Sequence, residues 1–145
     1  MIATAKHNKI IQTLGKVATD VLPVGRARIA AAIVIKNEII SIGTNQMKSH
    51  PLQAKFSRHY QAIHIHAEID AIAKALKRID AKRLTQAELY VARVKIDNRG
   101  KAMWGIAKPC AGCDGAIESF GLKKVIWTDD GYCDHPVEVG IGFGD

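Results

Sequence analysis

The sequence predicts an α/β sandwich, in which helices pack on a central β-sheet. One reason is that strand-like and helix-like segments alternate along the chain. A second is that apolar residues recur at helical spacing in some segments and form β-branched runs in others. A third is the composition, 48% hydrophobic and 24% charged over 145 residues, which is typical of a globular domain. We therefore expect residues 1–145 to fold as a single domain.

The first predicted element is a helix. Residues 5–18 carry apolar side chains at helical spacing. We expect this helix to end near Gly15 or before Pro23, because glycine and proline both interrupt helices.

A β-hairpin and an irregular segment are predicted next. The apolar run Arg28–Ile35 predicts a strand, residues 36–37 a turn, and residues 38–43 a returning strand. Residues 44–60 are polar and contain Pro51, so we expect them to lack regular structure.

The second half of the chain alternates helix and strand. An apolar stripe through residues 66–79 predicts a helix with its lysines on the opposite face. The segments that follow are a strand at 88–94, a turn at 97–100, an extended segment at 103–107, a helix at 110–120 closed by Gly121, and strands at 123–128 and 137–143. Only 17 residues follow Thr128, which barely allows a crossover to a parallel strand. We therefore expect the last strand to be antiparallel or absent.

The charge and hydropathy of the chain indicate its partners and location. The formal net charge of +7 favours an anionic partner, such as a nucleotide phosphate or a nucleic acid, although a solubilising surface charge explains it equally well. No apolar run is long enough to span a bilayer, and the first residues do not resemble a signal peptide. We expect a cytoplasmic protein that does not bind membranes.

Two short motifs, His66-Ala67-Glu68 and Pro109-Cys110-Ala111-Gly112-Cys113, predict a catalytic zinc site. His66, Cys110 and Cys113 supply three ligands, and three protein ligands leave one position open for water. The two cysteines are three residues apart at a predicted helix start, so they lie on one face and can share an ion. The helix dipole stabilises their negative charge.

Other interpretations of the two motifs are less favoured. A zinc ribbon needs a second Cys-x-x-Cys, and the sequence has none. A thiol redox pair would not need His66. The third cysteine, Cys133, is interpreted as a free thiol, and His64 could replace His66 as a ligand but is more often a packed or exposed histidine.

The motifs also predict a reaction type. Zinc lowers the pKa of bound water from 15.7 to about 7 and so provides a hydroxide nucleophile. Glu68, two residues after the His66 ligand, is predicted to take the water proton and return it to the substrate and the leaving amine.

The paired motifs H-x-E and P-C-x-x-C match the signature of zinc nucleobase deaminases, and the chain resembles the cytidine and deoxycytidylate deaminase superfamily. This resemblance implies a three-layer sandwich with a mixed central β-sheet and helices on both faces. It also implies Zn²⁺ as the cofactor and assembly into a homo-oligomer. Two features favour the deoxycytidylate-type or nucleic-acid-type branches of this superfamily. The first predicted zinc ligand is a histidine, His66, and Asn45 is followed by Gln46-Met47.

The resemblance further implies which residues bind substrate. Asn45, directly after the second predicted strand, matches the asparagine that contacts the sugar. The backbone around the Pro-Cys segment contacts the reacting amino group, which places Ala107, Lys108 and Pro109 at the substrate. Ala67, between the His66 ligand and Glu68, is expected there as well.

Three functions remain open. The favoured one is deamination of deoxycytidylate to deoxyuridylate, or of a related pyrimidine nucleotide or nucleoside, with Lys55 and Arg58 holding the phosphate. The second is deamination of cytosine or adenine in single-stranded DNA or RNA, with Trp104 or Trp127 among the aromatic residues that could stack bases. The third is a zinc-stabilised binding module without catalysis, against which Glu68 argues. The sequence does not fix the base, the regulation or the oligomer size.

Overall fold

The computed structural model describes residues 1–21, 27–56, 64–133 and 136–143. Within these residues the helices are α1 (Ala5–Thr19), α2 (Pro51–Phe56), α3 (Ala67–Leu76) and α4 (Ala111–Phe120), with a 3₁₀ helix at Ala81–Gln86. The strands are β1 (Arg28–Ile35), β2 (Glu38–Thr44), β3 (Glu88–Ile96), β4 (Ala102–Gly105), β5 (Lys124–Thr128), β6 (Gly131–Tyr132) and β7 (Val139–Phe143).

In the described part of the chain, the strands form one mixed sheet of seven. The β1–β2 hairpin pairs antiparallel with β3 through β1. β3 pairs in parallel with β5, and β7 runs antiparallel to β5. The mixed sheet is therefore confirmed, and of the two alternatives for the last strand the antiparallel one is correct.

The edge of β3 that faces away from β1 is shared by two strands. Residues 88–91 pair with β5, whereas residues 93–96 pair with β4, which continues to β6. Thr128 lies fully buried at this fork. Its Oγ1 donates a hydrogen bond to the Gly105 carbonyl at 2.7 Å and accepts one from the Arg93 amide at 3.1 Å. The hydroxyl thus satisfies backbone groups where the two strands diverge.

Helices cover both faces of the sheet, which confirms the three-layer sandwich. On one face, α1 packs on β1 and β3, and Trp104 of β4 completes this core. On the other face, α3 and α4 pack against the opposite sides of β1, β3 and β5. Side chains of β1 enter both cores in alternation, which explains its continuous apolar run: Ala30, Ala32 and Val34 face α1, and Ala31, Ile33 and Ile35 face α3.

Several predicted boundaries agree with the structure. The turn between β1 and β2 has left-handed backbone at Lys36 (φ 50°) and Asn37 (φ 68°), the geometry of a two-residue hairpin whose twist matches the strands. Gly121 (φ 70°) ends α4 in the left-handed conformation. The first helix passes through Gly15 and ends at Thr19, before Pro23. Gly15 lies against the Trp104 ring, with which a side chain at this position would clash.

The prediction that residues 44–60 lack regular structure is wrong for α2. Pro51 is the first residue of that helix, a position where its missing N–H costs nothing and its fixed φ favours the helix. The helix predicted at 66–79 is shorter, because His66 caps it with extended backbone and Leu76 is its last residue. Neither β6 nor the 3₁₀ helix was predicted. No helix in the described residues is long and apolar enough to cross a membrane.

Candidate zinc site

The segment before α3 places His66. Ile65 forms an antiparallel bridge with Gln46, and its N–H donates to the Lys48 carbonyl at 2.8 Å. The N–H of His66 donates to Oε1 of Gln53 at 2.9 Å. Gln53 is fully buried on α2. The short helix that the sequence did not predict therefore positions a residue of the site.

Polar contacts hold the first turns of α3 against β2. Asp70 is buried and accepts hydrogen bonds from the Thr44 N–H at 3.0 Å and from Gln46 Nε2 at 3.2 Å. Ser41 Oγ donates to the Ala71 carbonyl at 2.7 Å. These bonds fix the height and rotation of the helix that carries Glu68.

The closest approach between β2 and α3 is at Gly43. A side chain there would overlap the Ala71 amide and the Ala67 carbonyl, and its Cβ would lie 2.8 Å from Ala71 Cα. Glycine is thus required at this position by packing. The contact determines how near the site residues of α3 lie to the sheet.

The N-terminus of α4 carries the two cysteines. Cys110 caps the helix with extended backbone, and Cys113 is buried one turn later. The preceding segment is anchored because the Ala107 N–H donates to the Thr128 carbonyl at 2.9 Å. The fork in the sheet therefore directs the chain into the cysteine motif.

The three predicted ligands converge between these two helix starts. His66 Nδ1 lies 3.5 Å from Cys110 Sγ and 3.3 Å from Cys113 Sγ. All three ligand atoms lie within 4.8 Å of one another. Tetrahedral zinc with bonds of about 2.1 Å to nitrogen and 2.3 Å to sulfur places these atoms roughly 3.6 Å apart. The residues present therefore fit a zinc ion with one position open to water.

The thiols and the imidazole form one coupled group. The hydrogen bond with Cys113 lowers the pKa of Cys110 to about 3, and the hydrogen bond with His66 acts in the same direction. The hydrogen bond with Cys110, together with burial, raises the pKa of Cys113. The hydrogen bond with Cys110 raises the pKa of His66. A bound cation deprotonates both thiols, which makes them strong ligands.

Glu68 lies beside this group, in the first turn of α3. Its side chain is only 6% exposed, and burial raises the pKa of its carboxyl. It borders a cavity of ≈ 170 Å³ whose other lining residues are Ala27, Ile29, Asn45, His64, Ile65, His66 and Ala67. A carboxyl with a raised pKa, buried at a cavity, is suited to exchanging protons with a bound molecule.

Asn45 lines the same cavity but is also a structural residue. Its Oδ1 accepts from the Ile29 N–H at 2.9 Å, and its Nδ2 donates to the Ala27 carbonyl at 3.0 Å. The amide holds the start of β1 and retains one N–H and one lone pair for a ligand. The structure brings Asn45, Ala67 and Glu68 together, and the contact of Asn45 with a sugar stays a prediction.

Other residues predicted to bind substrate are not among those that line this cavity. Lys108 and Pro109 line a separate groove of ≈ 370 Å³ beside α4, β5 and β7, and Lys108 Nζ lies 6.0 Å from the Trp127 ring centre. Lys55 lines a third groove, on the outer side of α3, with Nζ 5.5 Å from the ring centre of Phe56. Arg58 falls outside the described residues. Ala107 is buried in the same core as Ala67 and Cys113.

The structure does not support base stacking on Trp104. This residue is 3% exposed and belongs to the core under α1, on the opposite face of the sheet from Cys110 and Cys113. Trp127 is half-buried and packs its ring against Gly140 and Gly142 of β7. The aromatic rings of Trp104 and Trp127, which suggested base stacking, pack against other parts of the protein.

Sequence reasoning missed two positioning residues, Gln53 and Asp70. Both are polar side chains buried by tertiary contacts, and a polar residue at one position gives no signal of such burial. The one available signal is that Asp70 lies two residues after Glu68, in the first turn of a helix. Acidic residues are common there for electrostatic reasons alone.

Comparison with known proteins agrees with this geometry. The family model for the cytidine and deoxycytidylate deaminase zinc-binding region matches residues 4–129. The chain therefore belongs to this family and is a zinc-dependent deaminase. No curated protein sequence is significantly similar to the chain.

Among solved structures, the fold is similar to that of dCMP deaminase from the cyanophage S-TIM5. The apo form of that enzyme aligns with a TM-score of 0.57 and 18% identity, over 91% of this chain and 88% of the phage chain. A structure of the same enzyme in complex with dCMP and dUMP aligns with a TM-score of 0.50 and 18% identity, over 83% of this chain and 76% of the phage chain. At this identity the likeness concerns the fold.

Proposed function

We propose that the chain, as a member of this deaminase family, removes the exocyclic amino group of a cytosine nucleotide or nucleoside. Deoxycytidylate is the favoured substrate. The reaction consumes one water and releases ammonia, so deoxycytidylate becomes deoxyuridylate. The observation that carries this proposal is the buried carboxyl of Glu68, on a cavity wall directly beside the convergent His66, Cys110 and Cys113. A structural zinc site is closed by four protein ligands, so it needs no buried acid beside an open coordination position.

The protein groups have distinct tasks in this reaction. His66, Cys110 and Cys113 would hold the zinc ion, which when bound acidifies water to near-neutral pKa. Glu68 accepts the proton of the attacking water and delivers it to the ring nitrogen next to the amino-bearing carbon. The same carboxyl then carries the second proton to the departing amine, and ammonia leaves. Burial raises the pKa of the Glu68 carboxyl. This brings its pKa closer to the pKa values of the groups with which it exchanges protons.

Two observations favour a nucleotide as the substrate. The chain carries a net charge of +7, which attracts anions. The phage enzyme of similar fold was solved with dCMP and dUMP bound.

Among the described residues, the cavity beside Glu68 has no lysine or arginine on its wall, so the phosphate would lie outside it. Lys55 faces a different groove, and the proposed phosphate contact therefore depends chiefly on Arg58.

A product assay tests the proposal. Zinc-loaded protein would be given cytidine, deoxycytidine, deoxycytidylate, a single-stranded cytosine-containing DNA and transfer RNA, with ammonia release and base conversion measured. Glu68→Gln is the control for contaminating activity. We expect turnover of deoxycytidylate well above deoxycytidine, little on the polynucleotides, and modest sensitivity to salt. A polynucleotide engages many phosphates, so its binding weakens steeply with salt.

Two results would overturn the proposal. Efficient deamination within an oligonucleotide or transfer RNA, without turnover of any mononucleotide or nucleoside, would establish a polynucleotide deaminase instead. Stoichiometric zinc without deamination of any of these compounds would contradict cytosine deamination altogether.

A further inference from the structure

We propose that His64 is a substrate-binding residue whose imidazole hydrogen-bonds to the uncharged nucleoside part of the substrate. This inference rests on the function proposed above and identifies a contact that neither the motifs nor the family match assigns. The observation behind it is that His64 lines the cavity beside Glu68, while its Nδ1 is buried without a hydrogen-bond partner among the described residues. A buried polar atom without a partner is costly unless a ligand or water satisfies it.

The local chain conformation explains why His64 reaches the cavity. Residue 65 is in a bridge with Gln46, and His66 has extended backbone, so side chains two residues apart lie on the same side. His64 and His66 accordingly both line the cavity, and His66 also meets the two cysteines. The spacing that delivers the metal ligand also delivers a second imidazole to the site.

The other polar side chains of the described cavity wall already have partners or assigned tasks. Asn45 uses one N–H and one lone pair of its amide on the backbone at the start of β1, and its remaining N–H and lone pair are assigned to the sugar. His66 faces the cysteine sulfurs through Nδ1, and Glu68 is needed for proton transfer. Among the described residues, His64 is thus the polar side chain of this wall that has an unpartnered ring nitrogen and no other assigned task.

The character of the cavity indicates what His64 binds. In the described residues its wall is formed by Ala27, Ile29, Ile65 and Ala67 between the polar groups, and no lysine or arginine lines it. A phosphate dianion would be poorly compensated there. The cavity, at ≈ 170 Å³, is also smaller than the roughly 300–1,000 Å³ of sites that enclose a drug-sized ligand. It therefore suits the base and the adjoining sugar, whose uncharged hydroxyl, carbonyl and amide-like groups an imidazole can pair with.

The test compares two variants on two substrates. His64→Leu keeps the bulk and removes both ring nitrogens, whereas His64→Asn keeps a polar atom close to the place of Nδ1. KM and kcat would be measured for deoxycytidine and deoxycytidylate, with zinc content and thermal stability measured on the same preparations. We expect His64→Leu to raise KM roughly tenfold, by the same factor for both substrates, because both contain the nucleoside. We expect His64→Asn to recover most of that loss, with zinc content and kcat close to wild type in both variants.

Each contrary result has a separate meaning. Unchanged KM in His64→Leu, or a rise confined to deoxycytidylate, overturns the nucleoside contact while the wild-type activity leaves the proposed function intact. Loss of zinc from a folded His64→Leu means that His64 acts on the metal, which also overturns the inference. A wild-type protein that converts neither substrate overturns the proposed function and this inference with it. If His64→Leu does not fold, His64→Ala replaces it, with the same expected rise in KM for both substrates, and an unchanged KM in that variant overturns the nucleoside contact.

Discussion

Replacing Gly43 by alanine should displace α3 and with it Glu68, the residue proposed to transfer protons. The added Cβ would lie 2.8 Å from Ala71 Cα and would overlap the Ala71 amide and the Ala67 carbonyl. Non-bonded carbon atoms prefer separations of about 3.5–4.0 Å. These neighbours are backbone atoms, which cannot rotate away as a side chain can. The helix must therefore move back from β2 by about 1 Å.

This displacement should reduce both activity and stability. Glu68 lies in the first turn of α3 and His66 caps it, so both shift relative to the cysteines on α4. A misplacement of about 1 Å costs on the order of 10²-fold in turnover. Overpacking of this kind destabilises by about 1–3 kcal/mol, which lowers the Tm of a domain this size by several degrees. The hydrogen bonds of Ser41 and Asp70 resist the movement and so add to the cost.

The assay measures kcat/KM on the best substrate, the Tm and the zinc content of Gly43→Ala. Gly131→Ala is the matched control, because a Cβ at Gly131 meets no atom within 4 Å and its φ is not positive. The control should behave like wild type in all three measurements. If Gly43→Ala is indistinguishable from Gly131→Ala, the close approach does not position the site, and the argument is wrong.

Further expectations concern single residues. The wild type should bind about one zinc per chain and Cys113→Ser should lose most of it, because a sulfur ligand is removed; full zinc in the double variant Cys110→Ser/Cys113→Ser would contradict the site. Glu68→Gln should keep its zinc and fold but lose at least roughly 10²–10⁴-fold in activity, and turnover at half the wild-type rate would disprove proton transfer by this residue. Asn45→Ala should weaken turnover of nucleosides with zinc content unchanged, whereas unaltered kinetics would leave Asn45 a structural role only. Burial lowers the pKa of His7 from its usual 6.5, so the unfolded chain takes up this proton before the folded one does. Stability from this residue is therefore complete above pH 6.5 and declines as the pH falls below it, and Tm measured against pH should fall less steeply in His7→Leu; parallel curves would refute this.

The three residues that converge at the candidate zinc site could be predicted from the sequence because each belongs to a short local pattern. The Cys110–Cys113 spacing and the position of His66 before an apolar helical stripe are local features, and zinc chemistry joins them into one site. The fold class was predicted for a similar reason, since the alternation of strands and helices leaves few architectures. Periodicity also placed β1 and α4 within a residue or two.

What the sequence did not reveal depends on contacts between distant residues. Pro51 was interpreted as a breaker, although the same residue favours the start of a helix, and the sequence alone does not distinguish these roles. The missing α2 concealed Gln53, whose partner is the backbone of His66, thirteen residues away. Lys55 was expected near the substrate because it lies between Asn45 and His66 in sequence, yet α2 turns it toward a different groove. Proximity along the chain was a poor guide once a helix lay between.

The fork at Thr128 gives the protein an internal reporter of local opening. The amide hydrogen of Arg93 is held by a side-chain hydroxyl, at the point where β3 changes from one neighbouring strand to the other. Its rate of exchange with deuterated solvent therefore reports the opening of the contact between β3 and Thr128 at the end of β5. The same threonine holds Ala107 through its carbonyl, three residues before Cys110. Slow exchange at a single backbone position in the sheet would thus record how firmly the approach to the cysteine motif is held.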